Sequence, residues 1–200
     1  MIPLWLKIVY TLAALAIVVI YWRRLGPGNL LWFCDIALIL AIPALWLESA
    51  LLASMLAVSI LVPEAVWILV FFTRLLTGMR LGGLLDYMFD RTRPVWLRAI
   101  SLFHIPLPIL LVWMVWALGY DPRALIAATL LGWVVMPASH ILTRPEQNIN
   151  WAYGLGHDHH LQSRLPPWLF VGLLMLALPL LFYLPAHFLL LAITNSQGLA

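Results

Sequence analysis

Six stretches of this chain are each long and apolar enough to cross a bilayer, and that feature constrains the fold more than any other. They cover residues 3–22, 30–47, 50–72, 95–118, 123–143 and 167–194. Crossing a hydrocarbon core takes about 20 mostly apolar residues, and a helix is favoured because it satisfies its own backbone where water is absent. Only 10% of the 200 residues are charged, against about 25% in a soluble domain. The expectation is one all-α domain, 1–200, a polytopic membrane bundle of six transmembrane helices. The longest connections, 73–94 and 144–166, are too short for a soluble domain, so any chemistry belongs in the bundle or at one of its faces.

Charge sets the orientation. With six spans both ends of the chain share one side, and the loops 23–29, 73–94 and 144–166 lie on the other. That second side holds Arg23, Arg24, Arg74, Arg80, Arg91, Arg93, Arg98, Arg144 and Arg164, leaving only Lys7 and Arg123 opposite. Arginine-rich loops stay cytoplasmic, so the termini are expected on the outer, periplasmic side of an inner membrane. The first stretch ends in Tyr21-Trp22-Arg23-Arg24 without a small-residue cleavage site, so it reads as a retained span rather than a signal peptide. A single cysteine, Cys34, excludes an internal disulfide. The arginines are too scattered for nucleic-acid recognition.

Several local features follow from residue chemistry. Asn29 after Gly26-Pro27-Gly28 suits the N-cap of the second helix, and Asp121-Pro122 suits the start of the fifth. Over about 80–90, Leu81, Leu84, Leu85, Met88 and Phe89 recur at helical spacing while Arg80, Asp86 and Asp90 fall elsewhere. That pattern predicts a short amphipathic helix on the membrane surface, either an anchor for the loop or a lid over a lipid entrance.

The chemistry-bearing residues sit at similar depth on four segments. Cys34 and Asp35 lie near the start of the second stretch, Glu64 near the end of the third, His104 near the start of the fourth and His140 near the end of the fifth. An ionisable group inside a span costs about 2.5–3.5 kcal/mol on insertion scales, so each acid needs a partner or a polar cavity. Pro106 and Pro108 cannot donate to the carbonyls of Leu102 and His104, which favours a kink and a polar space beside the histidine. Ser101 lies one turn before His104 on the same face. A thiol becomes a nucleophile when a base lowers its pKa, and a carboxylate can orient that base. Cys34 with His104, held by Asp35 or Glu64, would form such a set. The plainer alternatives are cysteine as packing and buried acids lining a proton or solute path.

Three short motifs carry a family resemblance. Leu31-Trp32-Phe33-Cys34-Asp35-Ile36-Ala37 resembles the Leu-Cys-Asp-Leu-Ala core of the second helix in bacterial YwaF-type six-span membrane proteins. Phe103-His104 is similar to that family's isolated intramembrane histidine, and Asn150-Trp151-Ala152-Tyr153 to its Asn-Tyr-x-Tyr stretch. Where the family usually has a histidine two positions before the cysteine, this chain has Trp32. These proteins look related to eukaryotic transmembrane acyltransferases that use cysteine and histidine on phospholipid acyl chains, and to androgen-induced fatty-acid-ester hydrolases. The resemblance implies Cys34 as nucleophile and His104 as base.

The resulting expectation is acyl transfer or ester hydrolysis on a membrane lipid, with no cofactor. Asn150, Trp151 and Tyr153 would close the cytoplasmic mouth and contact a head group, with Ser101 and His140 beside the substrate. His157, His159 and His160, with Asp158, are a weak metal-ligand candidate; a solvated, titratable loop is the commoner meaning of such a run. The competing expectation is a non-enzymatic protein, either a proton or solute pathway or a structural subunit among partner membrane subunits.

Overall fold

The structure, a computed structural model, describes residues 1–155 and 163–195. Every regular element among them is helical. The α-helices in chain order are α1 (Leu4–Leu25), α2 (Phe33–Trp46), α3 (Ala50–Thr77), α4 (Asp86–Phe89), α5 (Val95–Ile100), α6 (Pro106–Leu118), α7 (Ala124–Leu142), α8 (Pro167–Ala177) and α9 (Leu184–Asn195). Five runs are long and apolar enough to cross a membrane: α1, α3, the α5–α6 pair, α7 and the α8–α9 pair. The sixth expected stretch is shorter as α-helix. Its first residues form a 3₁₀ turn, Pro27–Leu31, and α2 begins only at Phe33.

The long helix α3 is the hub, in contact with α2, α6, α7 and α9. Its first half buries Ala53, Ser54, Leu56, Ala57, Val58 and Ser59 almost completely. Small side chains let backbones approach closely, which is how membrane helices gain packing where lipid and leucine are equally apolar. The close contact of α7 with the last helix has the same origin. A methyl group on Gly132 would stand 2.8 Å from the Tyr183 hydroxyl, so glycine leaves room for that hydroxyl. Tyr183 ends a π-helical turn, Leu178–Tyr183, that joins α8 to α9.

Three local expectations are corrected. Asn29 lies inside the 3₁₀ turn and does not cap α2; its amide donates instead to Asp35 Oδ2 at 3.2 Å. The amphipathic helix over 80–90 reduces to the single turn α4, because Gly82 (φ +62°) and Gly83 (φ +67°) take left-handed backbone that ends any preceding helix. Two of the apolar residues of this segment face the bundle: Leu85 and Met88 are buried with Trp67 and Val70 of α3, while Leu81 stays exposed. At Asp121-Pro122 the side chain accepts from Arg123 N at 3.0 Å, so Asp121 closes a turn and α7 starts at Ala124.

The stretch 95–118 kinks as its prolines require. Ser101–His104 is a 3₁₀ turn between α5 and α6. The Leu102 carbonyl, which Pro106 cannot serve, is taken by Ile105 N at 3.0 Å. The corner between α2 and α3 is tied to the start of α1 by Glu48, whose Oε1 accepts from Lys7 Nζ at 2.7 Å and Ile2 N at 3.1 Å.

Candidate active site

Cys34 stands in the first turn of α2, and the position of that turn is set from outside the helix. Trp32 is extended (ψ 139°) and offers no side-chain cap. The cap comes from Asn150, whose Oδ1 accepts from Phe33 N at 3.1 Å. The Asn150 amide also donates to Leu31 O at 2.7 Å and to Ser139 Oγ at 2.9 Å. One side chain thus pins the start of α2 to α7. Asn150 adopts left-handed backbone (φ 52°, ψ 23°), a conformation asparagine tolerates better than most residues.

Glu64 follows Pro63 within α3, and His104 ends the 3₁₀ turn before α6. These elements converge on α2. One ligand-type atom from each of Cys34, Glu64 and His104 lies within 4.8 Å of the others. His104 Nδ1 is 4.0 Å from Glu64 Oε2. The imidazole is walled by Trp67 and Phe103, both edge-on, with centroids 4.6 and 4.3 Å away. Glu64 is 4% and His104 8% exposed. Among the described residues, Glu64 Oε2 and His104 Nδ1 have no hydrogen-bond partner, and neither has Asp35 Oδ1. Each buried unpaired polar atom costs about 1–3 kcal/mol, so three together suit a group that brings polar atoms of its own.

Asp35 differs from Glu64 in what it reaches. It is 2% exposed and accepts from Asn29, and it interacts electrostatically with Glu64. Among the described residues it makes no ion pair with His104, so Glu64 is the acid placed to orient the imidazole. Ser101 is buried and shares a 2.8 Å hydrogen bond with Tyr21.

Residues from the stretch 140–155 do not join the cluster. His140 meets the Ala152 carbonyl through Nδ1 at 3.2 Å and packs against Tyr153 and Trp168. The Tyr153 hydroxyl lies 2.5 Å from the carbonyls of both His140 and Thr143. The side chain of Asn150 and the hydroxyl of Tyr153 are therefore engaged inside the protein, where they brace the start of α2 and the end of α7. Trp151 is 36% exposed beside them. His157, His159 and His160, with Asp158, lie outside the described residues.

Tyr87 and Trp67 were not legible as site residues. Trp67, which packs edge-on against His104, donates from Nε1 to the Tyr87 hydroxyl at 3.1 Å. Burial pushes the Tyr87 phenol above its ordinary range, against the opposing effect of the Trp67 hydrogen bond, so it keeps its proton at neutral pH. The available signal was Trp67 at three residues from Glu64, one turn on along the same face. Tyr87 gave none, because its approach depends on how the 78–94 loop folds back.

Beyond the cluster, Tyr87 lines a cavity of about 450 Å³ with Arg74, Arg80, Asp86 and Arg93. Arg74 pairs with Asp86. An apolar groove of about 250 Å³ adjoins it at Phe89, lined by Phe71, Leu75, Met88, Val95 and Leu102. A thiol, an imidazole and a carboxylate can serve as nucleophile, base and orienting acid, and the same three groups are ligands for a divalent transition metal. Compared with protein-family models, curated proteins and solved structures, the chain matches none of them.

Proposed function

We propose that this chain is a six-span inner-membrane protein of bacterial type that transfers or hydrolyses the acyl group of a membrane lipid, with Cys34 as nucleophile and His104 as base. The observation that carries the reading is the convergence of Cys34, Glu64 and His104, from three separate elements, to within 4.8 Å. A six-span path is supported by length. The 14 residues of α2 rise about 21 Å at 1.5 Å per residue, and the 3₁₀ turn Pro27–Leu31 adds about 10 Å. Placed end to end the two would match a hydrocarbon core of about 30 Å. The arginine bias of the loops supports termini on the outer side.

In the forward step His104 takes the Cys34 thiol proton as the sulfur attacks the ester carbonyl. Collapse of the tetrahedral adduct breaks the carbonyl carbon–oxygen bond, and His104 returns the proton to the departing alcohol. A water or an acceptor hydroxyl then attacks the thioester, gives its proton to His104 and releases Cys34. Glu64 stabilises the imidazolium formed in each half, the role an acid has in a triad. Unliganded catalytic contacts are often long, and 4.0 Å between His104 and Glu64 is within what substrate binding closes.

The lipid is supported by what adjoins Tyr87: a polar cavity where Arg80 stands beside the Arg74–Asp86 and Arg93–Asp90 pairs, next to an apolar groove that suits a chain. The test is covalent labelling of Cys34 in bilayer nanodiscs with a lipid-like acyl electrophile. Labelling lost in His104→Ala supports the reading. Lipid acyl profiles and turnover that are unchanged in Cys34→Ala sink it. The non-enzymatic alternative of a proton or solute path predicts instead that Asp35→Asn or Glu64→Gln abolishes flux while Cys34→Ala is silent.

A further inference from the structure

We propose that Cys34, Glu64 and His104 form a binding site for Zn²⁺, and that the filled site withdraws the thiol from acyl chemistry. The second half of the proposal rests on the thiol reading above; the binding itself does not.

Three observations lead to it. The three side chains supply one sulfur, one nitrogen and one oxygen donor with mutual separations of at most 4.8 Å. Zinc takes such mixed donors at about 2.0–2.3 Å, which puts neighbouring ligand atoms roughly 3.3–3.6 Å apart. Closing by about an ångström asks for side-chain rotation, and Cys34, Glu64 and His104 can each turn independently because they sit on separate elements, α2, α3 and the 3₁₀ turn before α6. The second observation is that Glu64 Oε2 and His104 Nδ1 are buried without hydrogen-bond partners among the described residues. A cation satisfies both at once.

The third is charge. A thiolate and a carboxylate side by side in a low-dielectric bundle repel, and neither is easily held ionised alone. With Zn²⁺ the formal charge of the assembly is zero: two positive charges from the metal, one negative from Cys34, one from Glu64, and a neutral imidazole. On binding, the Cys34 S–H bond breaks and a sulfur–zinc bond forms, the thiol proton and any proton held on Glu64 pass to solvent, and nothing is oxidised or reduced. Calcium and magnesium prefer all-oxygen sites, which leaves a borderline metal such as zinc. Three protein ligands leave a fourth position open, as in catalytic zinc sites.

The experiment uses the full-length chain, purified without a histidine tag, in nanodiscs, with His157, His159 and His160 replaced by alanine so that the 157–160 run cannot bind metal. Zn²⁺ is titrated directly, and Co²⁺ is used as the spectroscopic probe. The expected result is one equivalent bound, with a cobalt–thiolate charge-transfer band and tetrahedral visible bands. Cys34→Ser removes the charge-transfer band, and His104→Gln or Glu64→Gln weakens binding at least tenfold. The spectrum of the chain carrying only the three loop replacements is decisive, so a site variant that folds poorly does not blunt the test. No bound metal, or an octahedral cobalt spectrum without thiolate charge transfer, overturns the proposal. Acyl-electrophile labelling of Cys34 is then compared with Zn²⁺ and with a chelator. Protection by zinc, reversed by chelation, supports the regulatory half, and undiminished labelling of the zinc-loaded chain overturns it. A thiolate–cobalt band in a chain whose chelated form is never labelled leaves the metal site standing and removes the acyl-transfer reading instead.

Discussion

Glu64 Oε2 faces His104 Nδ1 at 4.0 Å, with neither atom hydrogen-bonded elsewhere among the described residues. The pair is held by α3 on one side and by the 3₁₀ turn before α6 on the other. Asp35, the other buried acid of the region, is instead tied to Asn29. Glu64→Gln is therefore expected to lower acyl turnover by about 10²-fold or more, since an orienting acid sets both the tautomer and the imidazolium energy. Asp35→Asn is expected to cost less than tenfold. Single-turnover labelling rates of Cys34 measure both, and equal losses in the two variants would contradict the assignment of Glu64 to His104.

Asn150 predicts a stability effect without a chemical one. Its side chain serves Phe33 N, Leu31 O and Ser139 Oγ. Asn150→Ala strands those groups, and each stranded buried group costs about 1–3 kcal/mol. A loss of roughly 2–4 kcal/mol is expected in unfolding titrations in mild detergent. Asn150→Asp keeps the acceptor for Phe33 N but places an oxygen against the Leu31 carbonyl, so it rescues only part of the loss.

Gly132 and Tyr183 form a pair whose coupling can be read by a double-mutant cycle. A Cβ at position 132 would lie 2.8 Å from the Tyr183 hydroxyl, and overpacking of this kind costs about 1–3 kcal/mol. The Tyr183 hydroxyl has no hydrogen-bond partner among the described residues, so Tyr183→Phe is expected to be neutral or mildly stabilising. In the double variant most of the Gly132→Ala cost should vanish. Strictly additive effects on thermal midpoint would rule out this contact as the cause.

Acid should loosen the corner between α2 and α3 through Glu48. Its carboxyl is held below the ordinary value of 4.5, chiefly by the hydrogen bond from Lys7, with the Ile2 amide contributing. A lowered folded-state pKa stabilises the fold above the unfolded value, and that contribution is lost as pH falls through the folded one. Between neutral pH and about pH 5 the wild type should show no dependence from this group. Below pH 4.5 it should lose stability toward that of Glu48→Gln, whose own curve is flatter. Thermal midpoints of both proteins across that range check the sign.

Much of the architecture was legible in the chain itself. Length and hydropathy determined that the described elements are apolar helices, because backbone in lipid has few other ways to satisfy its hydrogen bonds. Proline chemistry determined the break before α6. The residues able to do chemistry were also visible, since Cys34, Glu64 and His104 are conspicuous in apolar surroundings. Their depth could be counted along each helix, but depth does not say which faces meet. That was decided by rotation of the helices about their axes, which depends on the small-residue packing around α3 and on the cap that Asn150 provides from 117 residues away. The same limit explains why Glu64 rather than Asp35 faces His104, and why Tyr87 is at the site at all: its position depends on Gly82 and Gly83 turning the 78–94 loop back onto α3. Local pattern determined the elements of this protein; which side chains converge is a long-range property, set by packing that no single segment contains.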